Sequence, residues 1–165
     1  MATLKFEALW DNYPHDKPCS NDFQNQCAIK VGAALAKSGV DTKRLVPGKR
    51  HCWHHGVSEG HVLAAEELAA GLKKVSLPGI GRTISLTPVN YKSVIAGKTG
   101  IIFFKDYWMR SVDKEGAPTG DHIDLWNKNR ITDWSSWLRI QFGVVIPDVW
   151  SDFEKSKKIL FWEVK

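Results

Sequence analysis

Residues 120–126, Gly120-Asp121-His122-Ile123-Asp124-Leu125-Trp126, alternate between polar and apolar side chains from His122 to Leu125, and that period of two reads as a β-strand. The next residues, Asn127-Lys128-Asn129-Arg130-Ile131-Thr132-Asp133-Trp134, supply a turn and a returning strand. With Lys128-Asn129 at the centre of a hairpin turn, Trp126 pairs with Ile131, Asp124 with Asp133, and His122 with Ser135. In that register His122, Asp124 and Trp126 share a face with Ile131, Asp133 and Ser135, while Ile123, Leu125 and Thr132 pack inward. A slip of one residue would exchange the two faces.

Working outward, β-type runs occupy Thr83 to Leu86, Tyr91 to Ile95, Ile101 to Phe104, Arg130 to Trp134 and Ile159 to Val164, all after the Pro78-Gly79 break. Ser135 to Trp150 fits either a short helix around Trp137, Leu138 and Ile140 or a strand at Val144-Val145. Before Pro78 the periodicity is helical. Residues 1–20 read as irregular; Cys27, Val31, Ala34 and Leu35 then recur at helical spacing until Gly39. Asp41 to Gly60 reads as a long loop, and Val62, Ala65, Leu68, Ala69 and Leu72 line one face of a helix from about Ser58 to Lys74. Helices first and strands afterwards predict one α+β domain over residues 1–165, its N-terminal helices packed on an antiparallel β-sheet.

The helix and the strand also carry chemistry. Asn25-Gln26-Cys27-Ala28-Ile29 opens the first helix, which Asn21 or Asn25 could cap; with Asn25 as the cap, Cys27 falls in the first turn, where unpaired N–H groups favour a negative sulfur. A thiol attacks an amide usefully as thiolate, and a helix N-terminus plus an imidazole is a physical route to one. Cys27 is therefore the candidate nucleophile and His122 its base. Asp133, diagonal to His122 across the hairpin, and Asp124, two residues along the same strand, are both within reach to orient the imidazole. Gln26, Asp124, Trp126 and Trp134 are secondary candidates for substrate or oxyanion contacts, the two tryptophans as apolar walls of a peptide groove. With Cys27 kept free, Cys19 and Cys52 remain as a candidate disulfide. Closing that loop of about 33 residues would stabilise the fold by roughly 3 to 4 kcal/mol in an oxidising compartment.

Composition limits the alternatives. A chain of 165 residues buries enough core to need no metal for folding, and no stretch approaches a membrane span, so membrane insertion is not expected. The first thirty residues lack the charged-then-apolar layout of a secretory signal. A net charge of +5 favours anionic partners without choosing among them.

Taken together, Asn25-Gln26-Cys27-Ala28-Ile29, Gly120 to Trp126, Ile131-Thr132-Asp133-Trp134 and Gly100-Ile101-Ile102-Phe103-Phe104 resemble the type VI secretion amidase effectors, specifically their fourth family, within the papain-like NlpC/P60 peptidases. The resemblance spans most of the chain, including the Pro18-Cys19 approach and the His61 to Leu72 helix. It implies a papain-like NlpC/P60 fold and a Cys27-His122-Asp133 triad, Asp133 taking the third position. It also implies cleavage of the γ-D-glutamyl–meso-diaminopimelate amide of peptidoglycan stem peptides, without metal or cofactor. A dedicated immunity protein would block the site. Such an effector is made in the producer cytoplasm and injected into the target periplasm by the secretion machinery, which agrees with the absent signal and the basic charge.

Two other readings are weaker. His51, Cys52, His54 and His55, with His61 nearby, cluster nitrogen and sulfur donors as a metal-dependent toxin would, but the group lacks a second cysteine pair and the helical His-Glu-x-x-His spacing. A nucleic-acid-degrading toxin of the histidine-asparagine-histidine type would need a further histidine downstream, and His122 is the last in the chain. A nucleic-acid partner is therefore not expected.

Overall fold

The computed structural model describes residues 3–23, 26–108, 120–132 and 156–165. Over these residues the chain is α+β. Helix α1 (Phe6–Asp11) is followed by α2 (Cys27–Lys37), three short 3₁₀ turns between Thr42 and Glu59, and α3 (Ala65–Lys74). Then come β1 (Ile80–Leu86), α4 (Tyr91–Ile95), β2 (Thr99–Trp108), β3 (Gly120–Asn127), β4 (Arg130–Ile131) and β5 (Lys158–Val164). The strands form one sheet in the order β1-β5-β2-β3-β4, with every neighbouring pair antiparallel. No helix among the described residues is long and apolar enough to cross a membrane.

The period-two pattern sorts the two faces of this sheet. Ile101, Phe103, Ile123, Leu125, Leu160, Trp162 and Val164 bury against α1, α2 and α3 in the larger core. The alternate residues Ile102, Phe104, Trp126, Ile159 and Phe161 bury on the other face with Tyr91 and Ile95 of α4. Each face thus removes apolar area from water at about 25 cal/mol per Å². Ile123 and Leu125 face inward as their alternation predicts, and the hairpin keeps the predicted register where it is described: Trp126 opposes Ile131 and Asn127 opposes Arg130. Lys128 takes the left-handed conformation the tight turn requires (φ 62°). The predicted pairs Asp124 with Asp133 and His122 with Ser135 and the choice left open over 135–150 lie outside the described residues, whereas the cap is corrected: α2 starts at Cys27 with Gln26, not Asn25 or Asn21, at the N-cap position.

Several local readings are corrected. Phe6–Asp11 is a helix rather than irregular chain, Phe6 and Leu9 being buried one turn apart against the main core. Tyr91–Ile95 is helical, not a strand: Tyr91 and Ile95, one turn apart, fill the second core, while Val94 is exposed. The helix expected from Ser58 begins only at Ala65. Gly60 stands in the left-handed conformation (φ 75°) and ends the preceding turn. Residues 61–63 then run antiparallel to 50–52, with hydrogen bonds from Cys52 N–H to His61 O (2.8 Å) and Leu63 N–H to Arg50 O (3.1 Å).

Gly60, at the entry to this small ladder, is pressed against α2 backbone to backbone. A Cβ at Gly32, in the middle of α2, would stand 2.1 Å from the Gly60 carbonyl oxygen, so only glycine fits. Gly32→Ala should destabilise the protein by about 1–3 kcal/mol, because neither backbone can retreat without disturbing the core; urea unfolding measures it.

Candidate active site

Cys27 is the first residue of α2, buried (5% exposed) and lying over the sheet. Gln26 holds the N-cap position, but its side chain does not cap the helix. Instead the buried amide clasps the preceding loop. Its Nε2 donates to the carbonyls of Cys19 (3.2 Å), Ser20 (3.1 Å) and Phe23 (3.0 Å), and its Oε1 accepts the Cys19 N–H (3.1 Å). Gln26 thus fixes the entry to the helix that presents Cys27.

β3 brings His122 to the same point. The imidazole is buried (3% exposed), lies parallel to the Phe104 ring across the β2–β3 pair, and forms side-chain hydrogen bonds to Cys27 and to Asp124. The Asp124 contact runs from His122 Nε2 to Oδ2 at 3.3 Å. Burial works against the charged imidazole; the hydrogen bonds and charges of Asp124 and Cys27 outweigh it and push His122 up to about 9. A thiol, an imidazole and a carboxylate therefore stand in one chain of contacts, closed off from water.

Asp124 is itself held on several sides. Its Oδ1 accepts the Leu125 N–H (2.8 Å) and the Thr132 hydroxyl. Tyr13, from the segment after α1, hydrogen-bonds both Thr132 and Asp124, and burial together with the Asp124 charge raises its phenol well above the ordinary range. Tyr13 therefore stays a neutral donor. Sequence reading missed Tyr13 and gave Thr132 only an inward-packing role. Nothing near Tyr13 marks it, whereas Thr132 could have been found from the hairpin register, one residue past Ile131.

The remaining candidates distribute as follows. Trp126 is buried in the second core, donates its indole N–H to the Ile95 carbonyl (3.1 Å), and lines a pocket with Lys92, Ala96, Lys128 and Asn129. Asp133 and Trp134 lie outside the described residues. Cys19 and Cys52 do come together, their sulfurs 3.0 Å apart, and both are free thiols. Burial and contact with Cys52 push the Cys19 thiol up to about 11, so it is no rival nucleophile. Of the histidine-cysteine group, only Cys52, His55 and His61 converge. His51 bonds the Thr42 hydroxyl (3.2 Å), and His54 pairs with Asp22 at the surface (2.8 Å).

Compared with known proteins, the chain is matched over residues 23–162 by a family model described as type VI secretion system amidase effector protein 4. No curated protein matches it. The matched span contains Cys27, Asp124, His122 and Asp133; Tyr13 and Cys19 precede it.

Proposed function

The chain belongs to the type VI secretion system amidase effector 4 family, and on that premise we propose a cysteine peptidase of papain-like NlpC/P60 construction, acting as one catalytic domain over residues 1–165. Its substrate is the γ-D-glutamyl–meso-diaminopimelate amide of Gram-negative peptidoglycan stems. The observation that carries the reading is the buried contact of the Cys27 thiol, at the start of α2, with a His122 imidazole whose Nε2 faces a carboxylate.

With Nε2–H donated to that carboxylate, Nδ1 is left to accept the Cys27 proton. The thiolate attacks the γ-glutamyl carbonyl, and the backbone N–H of Cys27, at the first position of α2, donates to the oxyanion. His122 then protonates the departing diaminopimelate amine, and water hydrolyses the thioester with the imidazole as base. The third catalytic position is assigned to Asp133, supported by the family resemblance. Asp124 positions the imidazole within the Tyr13–Thr132 group. The basic charge favours carboxylate-rich stems, delivery is by the type VI machinery into the target periplasm, and a cognate immunity protein protects the producer.

Digestion of Gram-negative sacculi tests the reading. Wild type should release peptides with a new diaminopimelate amino terminus, and Asp133→Ala should do so about 10⁴-fold more slowly with an unchanged unfolding midpoint. A different new terminus would reject the bond. Full activity of Asp133→Ala would hand the third position to Asp124.

A further inference from the structure

A second centre lies behind the start of α2, and the peptidase chemistry does not use it. Cys19, Cys52, His55 and His61 each offer one donor atom, and these four atoms lie within 4.8 Å of one another. His55 Nδ1 is 3.2 Å from Cys52 Sγ and 3.5 Å from Cys19 Sγ, and the sulfurs are 3.0 Å apart. The edges of a tetrahedron around zinc, with Zn–S near 2.3 Å and Zn–N near 2.0–2.1 Å, are about 3.3 to 3.8 Å, so the group is close to that size. His61 packs its ring 4.0 Å from that of His55, and its Nδ1 is buried with no hydrogen-bond partner among the described residues. Cys19, Cys52 and His61 are buried and His55 is half-buried.

The backbone explains the convergence. The ladder of 50–52 with 61–63 sets Cys52 beside His61, and the turn between them returns His55. The side-chain amide of Gln26 fixes Cys19 by accepting its backbone N–H and donating to its carbonyl. Ile29 of α2 and the half-buried Phe23 and Leu63 pack around the sulfurs.

We propose that Cys19, Cys52, His55 and His61 form a closed tetrahedral site for a structural zinc ion that ties the loop before α2 to the 50–63 ladder. A bridge between the two sulfurs would account for Cys19 and Cys52 but leave unexplained why a nitrogen of His55 and one of His61 gather beside them; one cation accounts for all four donors. Binding deprotonates both thiols and releases two protons. All four first-coordination positions are filled from the chain, so the ion has no open position for substrate and serves the fold. This revises the expectation that the fold needs no metal, and it rules out the His51 and His54 ligands of the metal-toxin reading.

The test uses the full chain carrying Cys27→Ala, which removes the other thiol–imidazole pair and makes the result independent of the peptidase reading. The reduced protein, titrated with cobalt(II), should take up one equivalent and develop the intense visible absorption of a tetrahedral thiolate-bound ion, which zinc then displaces. Elemental analysis of protein grown with zinc should find about one ion per chain, and at least tenfold less in Cys52→Ser and in His61→Ala. Metal addition should also raise the unfolding temperature of the stripped parent, a readout that needs no ligand variant. Absence of cobalt absorption in fully reduced, folded protein would overturn the proposal.

Discussion

Cys27→Ala should lower the rate of stem-peptide cleavage by roughly 10⁴ to 10⁶-fold, the scale of loss when a covalent catalyst loses its nucleophile. The fold should survive. Cys27 occupies a small buried position at the first residue of α2, beside Ala28, and alanine fits there without overpacking and favours the helix. The expected result is therefore an inactive protein whose denaturant midpoint stays within about 1 kcal/mol of wild type. Cleavage at more than a hundredth of the wild-type rate would show that the sulfur does not form the acyl intermediate. Comparable loss in both rate and midpoint would place Cys27 in the core alone.

Asp124→Ala carries the largest stability effect. The carboxylate accepts from Thr132, from the Leu125 N–H and from Tyr13, and faces His122 Nε2, all in the interior. Removing it leaves several buried donors unanswered, for which a loss of about 3–5 kcal/mol is expected. A pH signature accompanies the loss. In the folded protein His122 is held up to about 9, above the value near 6.5 of an unfolded chain. The folded state therefore binds the proton more tightly. That contribution is fully present below about pH 6.5 and fades as pH rises through about 9, at a limiting slope of about 1.4 kcal/mol per pH unit. Wild-type stability should fall across this window, and Asp124→Asn should flatten the fall. Parallel curves for the two proteins would show that Asp124 does not hold the His122 proton.

How much of this is visible in the residues themselves depends on how local each cause is. The β3 strand, its turn and the start of α2 are written in short-range signals, namely the alternation from His122 to Leu125, a compact turn at Lys128-Asn129 and a helical apolar stripe from Cys27. The α4 segment misleads because Tyr91, Val94 and Ile95 have strand-like side chains, yet Tyr91 and Ile95 are recruited to the outer face of the sheet. Tyr13 reaches Asp124 over more than a hundred residues of sequence, so no window around it shows its role. The four-donor centre was divided in the sequence between two ideas that both used Cys52, a disulfide with Cys19 and a local histidine cluster. Only folding joins them.

The position of β5 gives the chain an order of assembly. Residues 158–164 enter between β1 and β2, whose backbones do not pair with each other. Until they arrive, two strands synthesised much earlier stand with open hydrogen-bonding edges beside apolar rows, a template for sticking to another copy. Long-range closure of this kind is slow, because the intervening chain loses its freedom before the pairing rewards it. A growing polypeptide could thus pair β2, β3 and β4 and set His122 in place, yet β1 would stay unjoined to them until residues 158–164 are threaded between.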